Sequence, residues 1–280
     1  MPQPSPTWTA PEGAPPPVRI GPLGWLRVLA RGVPLGLVVF GGLAVLLVLR
    51  LVERPLAGLN RPVTPWITVG VCRAALRILG LRYRRQGRPM AGQGAVVANH
   101  ASWLDIFVLN AAAPVYFVAK AQVAGWPGIG WLARATGTIF INRDPREAGA
   151  QALLIEARLR AGHRLAFFPE GTSTDGMRVL PFKPTLFAAF FAHGLAEALQ
   201  VQPVSLVYRG PAGGDPRAYG WWGDMSFGAH LLAVLAAPRQ GGVCAIYHPP
   251  LPVAGFPGRK ELARAAEAAV RAGLVAGLDG

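Results

Sequence analysis

Lysine is almost missing from this chain: Lys120, Lys183 and Lys260 are the only three, so nearly all of its positive charge is arginine. Codon bias across a genome accounts for such a skew. Cysteine is equally scarce, and Cys72 and Cys244 are too few for a disulfide framework and lack metal-ligand spacing. Both are expected as buried thiols in a reducing compartment. Acidic residues are in deficit too, 14 against 28 Lys and Arg, which leaves a formal net charge of +14. That excess points to anionic partners, whether phospholipid, nucleic acid or an acidic carrier protein, and by itself does not choose among them. No internal repeat is visible, and residues 90–280 contain no break that would mark a second domain. A hydrophobic content of 52% supplies a core and excludes disorder away from the ends.

The first twenty residues, rich in proline and poor in aliphatic groups, read as a flexible extended tail without the charged region and apolar run of a signal peptide. Residues 33–49, VPLGLVVFGGLAVLLVL, are free of charge between Arg31 and Arg50. That is the lower limit for crossing a bilayer, which takes roughly 17–25 residues. Gly36, Gly41 and Gly42 weaken a soluble helix yet are common in membrane helices. A membrane anchor is therefore expected, with a buried core helix as the alternative. Arginine is denser after this run than before it, so the positive-inside rule places the bulk of the chain in the cytoplasm. The stretch PWITVGVCRAALRILGLRYRR (65–85) has the pattern of an amphipathic helix. Its arginines face either lipid phosphate or solvent.

From about residue 94, short apolar runs alternate with helical stretches. GAVVANH (94–100), TGTIFINR (136–143), RLAFFPE (164–170), LQVQPVSLVY (199–208) and GGVCAIYHP (241–249) read as strands. Between the second and third, Asp144 as N-cap, Pro145 at the first helical position, Glu147 and Gly162 bound a helix. The result is a parallel crossover unit. A last amphipathic helix covers 258–277. The expected fold is α/β: a mixed, largely parallel sheet flanked by helices, with an N-terminal membrane-anchoring helix. The division is a tail over 1–20, an anchor with an interfacial helix over 21–89, and an α/β domain over 90–280.

In NHASWLDIF (99–107), His100 and Asp105 are five residues apart, about 140° around a regular helix, and cannot face each other within one. They meet if His100 occupies the turn before a helix that Ser102 and Asp105 begin, the spacing of a capping box. The alternatives are a base with its orienting acid, or a core histidine beside a stabilising first-turn acid. Polar groups at four strand ends, Asn99-His100, Asn142-Arg143, Glu170-Gly171-Thr172 and Gln202-Pro203, favour the first. Ligand sites of open α/β sheets gather at the carboxyl ends of strands.

NHASWLD, GTIFINR, FFPEGTST and VQPVSL, in this order over residues 94–210, resemble the motif blocks of the glycerolipid acyltransferases typified by 1-acylglycerol-3-phosphate acyltransferase. The resemblance implies transfer of a fatty acyl group from a thioester, on acyl carrier protein or coenzyme A, to a lysolipid hydroxyl at the inner face of a bacterial cytoplasmic membrane. His100 is then the base and Asp105 its partner. Arg143 holds the acceptor's phosphate, and Glu170, Gly171 and Thr172 shape the acceptor site. Lys120 and Lys183, in segments that also look familial, join the candidate substrate-binding set. The resemblance calls for no cofactor, metal site or covalent acyl-enzyme.

One position departs. Phosphatidic-acid-forming enzymes usually carry an arginine where this chain has Ser173, which weakens the case for a phosphate-bearing acceptor. The loop EGTSTDG and the later WWGDMSF (221–227) look more like a subgroup that includes lyso-ornithine lipid acyltransferases. Glycerophosphate remains the first expectation, on the strength of Arg143, and lyso-ornithine lipid the alternative. A catalytically inactive lipid-binding protein is the rival from another class, against which both His100 and Asp105 are present. A nucleic-acid binder is disfavoured by scattered arginines and by a superfluous apolar run.

Overall fold

The computed structural model describes residues 8–13, 15, 18–142, 145–192 and 194–279. Helices α1 (Pro22–Ala57) and α2 (Thr64–Leu79) come first, followed by strands β1 (Arg82–Gln86) and β2 (Gly94–Ala98). Helix α3 (Asp105–Ala112), β3 (Tyr116–Lys120), α4 (Ile129–Ala135), β4 (Ile139–Ile141), α5 (Ala148–Arg160) and β5 (Arg164–Phe167) follow. The chain then forms β6 (Gln200–Arg209), α6 (Phe227–Ala236), β7 (Gly242–Tyr247), the short β8 (Leu251–Pro252) and α7 (Arg259–Asp279). The strands lie in the order β1-β7-β6-β2-β5-β3-β4, with β8 against β6. Pairing is parallel except where β6 meets β7 and β8.

Strand alternation sends side chains to opposite faces, and each face has its own core. Val96, Ala98, Val204, Leu206 and Ala245 point toward α1, α2, α3 and α6. Ala95, Val97, Leu165, Phe167 and Val201 point toward α5, α7 and the 3₁₀ segment Leu186–Phe191. Strand β2 is buried on both faces, so its sequence GAVVA is continuously apolar with small residues where helices approach.

The anchor segment is one helix of 36 residues. Val28, Leu35, Leu46 and Glu53 are buried at spacings of seven, eleven and seven, a seam along one side of α1. Its N-terminal third is fastened to α6, where Arg31 Nη1 donates to the carbonyls of Leu235 and Ala237 at 2.8 and 2.7 Å. Near its other end, Glu53 accepts from Val63 N, Thr64 N and Thr64 Oγ1 at 2.8, 3.1 and 2.5 Å. A carboxylate from α1 therefore caps the first turn of α2, where the helix dipole favours negative charge. The opposite face of α1, with Leu26, Leu29, Val33, Leu37, Val48 and Leu51, is exposed and apolar. By length and composition this helix is the candidate membrane helix among the described residues.

Two sequence expectations meet different features here. The segment 65–85 is not one helix: α2 ends at Leu79, Gly80 adopts a left-handed conformation (φ 75°), and RYRRQ continues as edge strand β1. Helix α2 packs against the body through Cys72, Ala75, Leu76 and Leu79 while Arg73 and Arg77 stay exposed. Residues 8–13, within the expected tail, lie against the domain, with Ala10 buried.

Candidate active site

Strand β2 delivers the site. Beyond Ala98, the buried Asn99 takes over the role of backbone: its Nδ2 donates to the Leu206 carbonyl at 3.0 Å and its Oδ1 accepts from Leu206 N at 2.8 Å. This prolongs the β2–β6 pairing by one residue and fixes the direction in which His100 leaves the sheet. Both backbone groups of His100 are then held by the loop after β5. Its N–H donates to Glu170 Oε2 at 3.0 Å, and its carbonyl accepts from Thr174 N at 2.8 Å.

The imidazole Nδ1 lies 2.7 Å from Asp105 Oδ2, and the ring stacks on Phe168 with centroids 4.0 Å apart and planes 8° from parallel. Asp105 opens α3 and is fully buried. Its Oδ2 also accepts from Ala101 N and Ser102 N at 2.8 and 3.0 Å, and its Oδ1 accepts from Tyr208 Oη at 2.7 Å. An ionised carboxylate only accepts, so Nδ1 carries the ring proton and Nε2 keeps a free lone pair. The side chain of His100 is 21% exposed. The helix start is half of the expected capping box. The Asp105 carboxylate reaches back to two amides, whereas Ser102 Oγ makes no hydrogen bond.

Glu170 is buried, with Oε1 accepting from Leu180 N at 3.0 Å and Oε2 from His100 N. Burial pushes its carboxyl up to about 8 against the pull of these two amides. It therefore braces the loop over His100 from below. Tyr208 sits in the core of β6, where burial and the neighbouring Asp105 hold its phenol well above the usual range and keep it a donor.

The remaining candidates divide. Gly171 turns the loop at φ 74°, and Thr172 Oγ1 accepts from Trp8 N at 3.4 Å. Lys120 ends β3 half-buried, on the same sheet end as His100. Lys183 is exposed, and its backbone N–H braces the loop by donating to the Pro169 carbonyl at 3.0 Å. Arg143, like the N-cap candidate Asp144, lies outside the described residues. Gln202 and Pro203, expected at a strand end, fall instead inside the ten-residue β6. Gln202 is buried there, donating to the carbonyls of Arg88 and His248 and accepting from Met90 N.

Three contributors carry little sequence signal. Phe168 reads as more of the apolar β5, and Tyr208 as strand core. Trp8 comes from the expected tail, yet Arg178 lies 5.2 Å over its ring, and Glu12 Oε2 is 3.7 Å from Arg178 Nη2. The clue to Tyr208 is a phenol in a strand buried along nearly its whole length, which must find a partner.

An acyltransferase domain model matches residues 78–207. The chain is 59% identical over 270 residues to a lyso-ornithine lipid O-acyltransferase of Rhodobacter capsulatus, covering 96% of this chain and 97% of that protein. It is 37% identical over 253 residues to a lyso-ornithine lipid O-acyltransferase of Pseudomonas aeruginosa, covering 89% and 94%. Its fold is similar to the crystal structure of the 1-acyl-sn-glycerophosphate acyltransferase PlsC of Thermotoga maritima, with TM-score 0.64 and 22% identity over 90% of this chain and 95% of that one. The identity to these relatives over nearly the whole of both chains shows the family: the chain belongs to the glycerolipid acyltransferase family and is a lysolipid acyltransferase.

Proposed function

We propose that the acceptor is a lyso-ornithine lipid and that the donor is an acyl thioester on a carrier protein or coenzyme A. The observation that carries the headgroup is the 59% identity to the Rhodobacter relative over nearly the whole of both chains. Ser173 agrees with it, since this position brings no cation to the loop beside the acceptor. The 1-acylglycerol-3-phosphate reading, placed first on sequence, is thereby moved to second.

In this reading His100 Nε2 takes the proton of the acceptor hydroxyl while its oxygen attacks the thioester carbonyl. The C–O bond forms, the C–S bond breaks, and the proton passes from the imidazolium to the departing thiolate. General-base assistance of this kind is typically worth ~10²–10⁴-fold. Asp105 holds the tautomer and stabilises the imidazolium. Glu170, Gly171, Thr172, Lys120, Lys183 and Arg143 are assigned to binding and shaping the acceptor or donor. Trp221, whose backbone N–H donates to the Ala101 carbonyl at 2.8 Å and whose ring meets Trp126 edge-on, offers an apolar wall for acyl chains.

The exposed apolar side of α1, with Trp66 and Trp131, seats the enzyme on an anionic bilayer. Because both ends of α1 are tied to the body, its outer side enters the bilayer lengthwise. In this reading the catalytic domain lies at the cytoplasmic face of the inner membrane, its net charge of +14 suited to an anionic leaflet.

The test offers a labelled acyl donor with lyso-ornithine lipid and lysophosphatidic acid in separate reactions, the products being resolved by mass. Preferential formation of ornithine lipid is expected, and exclusive formation of phosphatidic acid overturns the headgroup. His100→Ala is expected to lower turnover at least ~10²-fold while remaining folded and membrane-bound. Near-normal turnover would sink the proposed base.

A further inference from the structure

Away from His100, a cavity of about 600 Å³ opens between α2, the end of α3 and the edge strand β1. Arg73, Arg77, Arg82 and Arg85 line it together with Tyr83. Ala111, at its floor, lies six residues along α3 from Asp105, about 9 Å of helix rise. The cavity is thus close to the catalytic pair and separate from it.

Two of the guanidinium groups are anchored from behind. Arg73 Nε donates to the Ala111 carbonyl at 2.8 Å, and Arg82 Nε donates to the Gly241 carbonyl at 3.4 Å. Among the described residues no carboxylate forms an ion pair with any of the four. Like charges gathered against the apolar Leu76 and Leu81 repel one another and focus a positive potential, which a bound anion relieves. The Tyr83 hydroxyl is buried and makes no hydrogen bond. An orphaned buried donor is unfavourable until a partner reaches it, and burial pushes the phenol up to about 12, so it remains a donor near neutral pH.

Arginines on an edge strand also block pairing with other chains. That role accounts for Arg84, outside the cavity, and leaves unexplained why Arg73 and Arg77 approach the same space from α2. Guanidinium forks match phosphate oxygens in pairs, and the volume lies within the range of small-ligand sites, ~300–1,000 Å³.

We propose that this arginine cavity binds an anionic phosphate group, carried by a lipid headgroup or by a soluble diphosphate. The site does not rest on the acyl-transfer reading, and its test contains no acyl donor. Full-length protein in detergent is titrated with inorganic pyrophosphate, and its flotation with phosphatidylglycerol and phosphatidylcholine vesicles is measured in parallel. The exposed pair Arg77→Gln/Arg85→Gln is compared with Arg259→Gln/Arg264→Gln on α7, across the sheet. Tyr83→Phe, which keeps every charge, is the third variant.

Saturable pyrophosphate binding, weakened at least tenfold by the cavity pair and several-fold by Tyr83→Phe but not by the α7 pair, supports the site with a soluble source. Phosphatidylglycerol-dependent flotation lost in the cavity variants alone, without pyrophosphate binding, supports it with a lipid source. If cavity and α7 pairs reduce both readouts equally, or neither readout responds, the site is overturned.

Discussion

Asp105 accepts hydrogen bonds from His100, Ala101, Ser102 and Tyr208, and the two oxygens divide the work. Oδ2 orients the imidazole and the turn that carries it, while Oδ1 is tied to β6 by Tyr208. Asp105→Asn presents the ring with the wrong tautomer and is expected to lower kcat on the order of 10³–10⁴-fold with a smaller change in acceptor KM. Tyr208→Phe leaves Oδ1 short of one donor in a buried place, costing ~1–3 kcal/mol of stability, yet it preserves the His100 contact. Its kcat is expected to fall far less than that of Asp105→Asn. Steady-state kinetics and thermal melts on both variants check this, and equal losses of kcat would show that Oδ1 governs the ring as well. The asymmetry also explains what could be read in advance. His100 and Asp105 are five residues apart, and they meet locally because His100 occupies the turn before α3. Tyr208 is 103 residues away, and only the register of β6 against β2 brings it there.

At the scale of elements, His163 ties the turn before β5 to the end of the α1–α2 hairpin. Arg158 Nε donates to its Nδ1 at 2.6 Å, its Nε2 meets the Leu59 carbonyl at 3.0 Å, and its ring stacks on Tyr116 at 4.2 Å. Burial, then the nearby Arg158, push this imidazole down to about 4. The unfolded histidine, near 6.5, takes up its proton first as pH falls. The stabilisation is therefore complete above about 6.5 and is lost progressively toward about 4. His230, buried beside Trp103 and also pushed down to about 4, acts in the same direction. Thermal melts at pH 7.5 and 5.0 should show a smaller acid-induced loss in His163→Gln than in the parent, with His230 supplying the remaining slope. An unchanged slope would remove His163 from this role. Elements with a clear period, β2, β6, β7, α5 and α7, were legible to within a few residues. RYRRQ of β1 was not, because it carries charge where a strand normally carries an apolar side and pairs along one edge only. The loop 170–178 was legible as a motif, whereas its contact with Trp8 and Glu12 spans most of the chain and leaves no periodic trace.

For the whole molecule, the decisive contrast lies between the two sides of α1. The seam residues Val28, Leu35 and Leu46 are each worth roughly 1.5–3 kcal/mol in burial, whereas Leu37 and Val48 remain 70% and 63% exposed. Leu37→Glu with Val48→Glu is expected to leave the melting profile in detergent unchanged and to abolish most flotation with vesicles. Undiminished flotation would show that the apolar side of α1 is not what meets lipid.

The packing of α1 has a practical corollary. Cutting the polypeptide between the first helix and Thr64 in search of a water-soluble enzyme would peel the cover off Cys72, Leu76 and Leu235 and take away the Glu53 carboxylate at the start of α2. The hydrophobic segment is a wall of the house as well as its mooring rope, so purification calls for a surfactant in place of scissors.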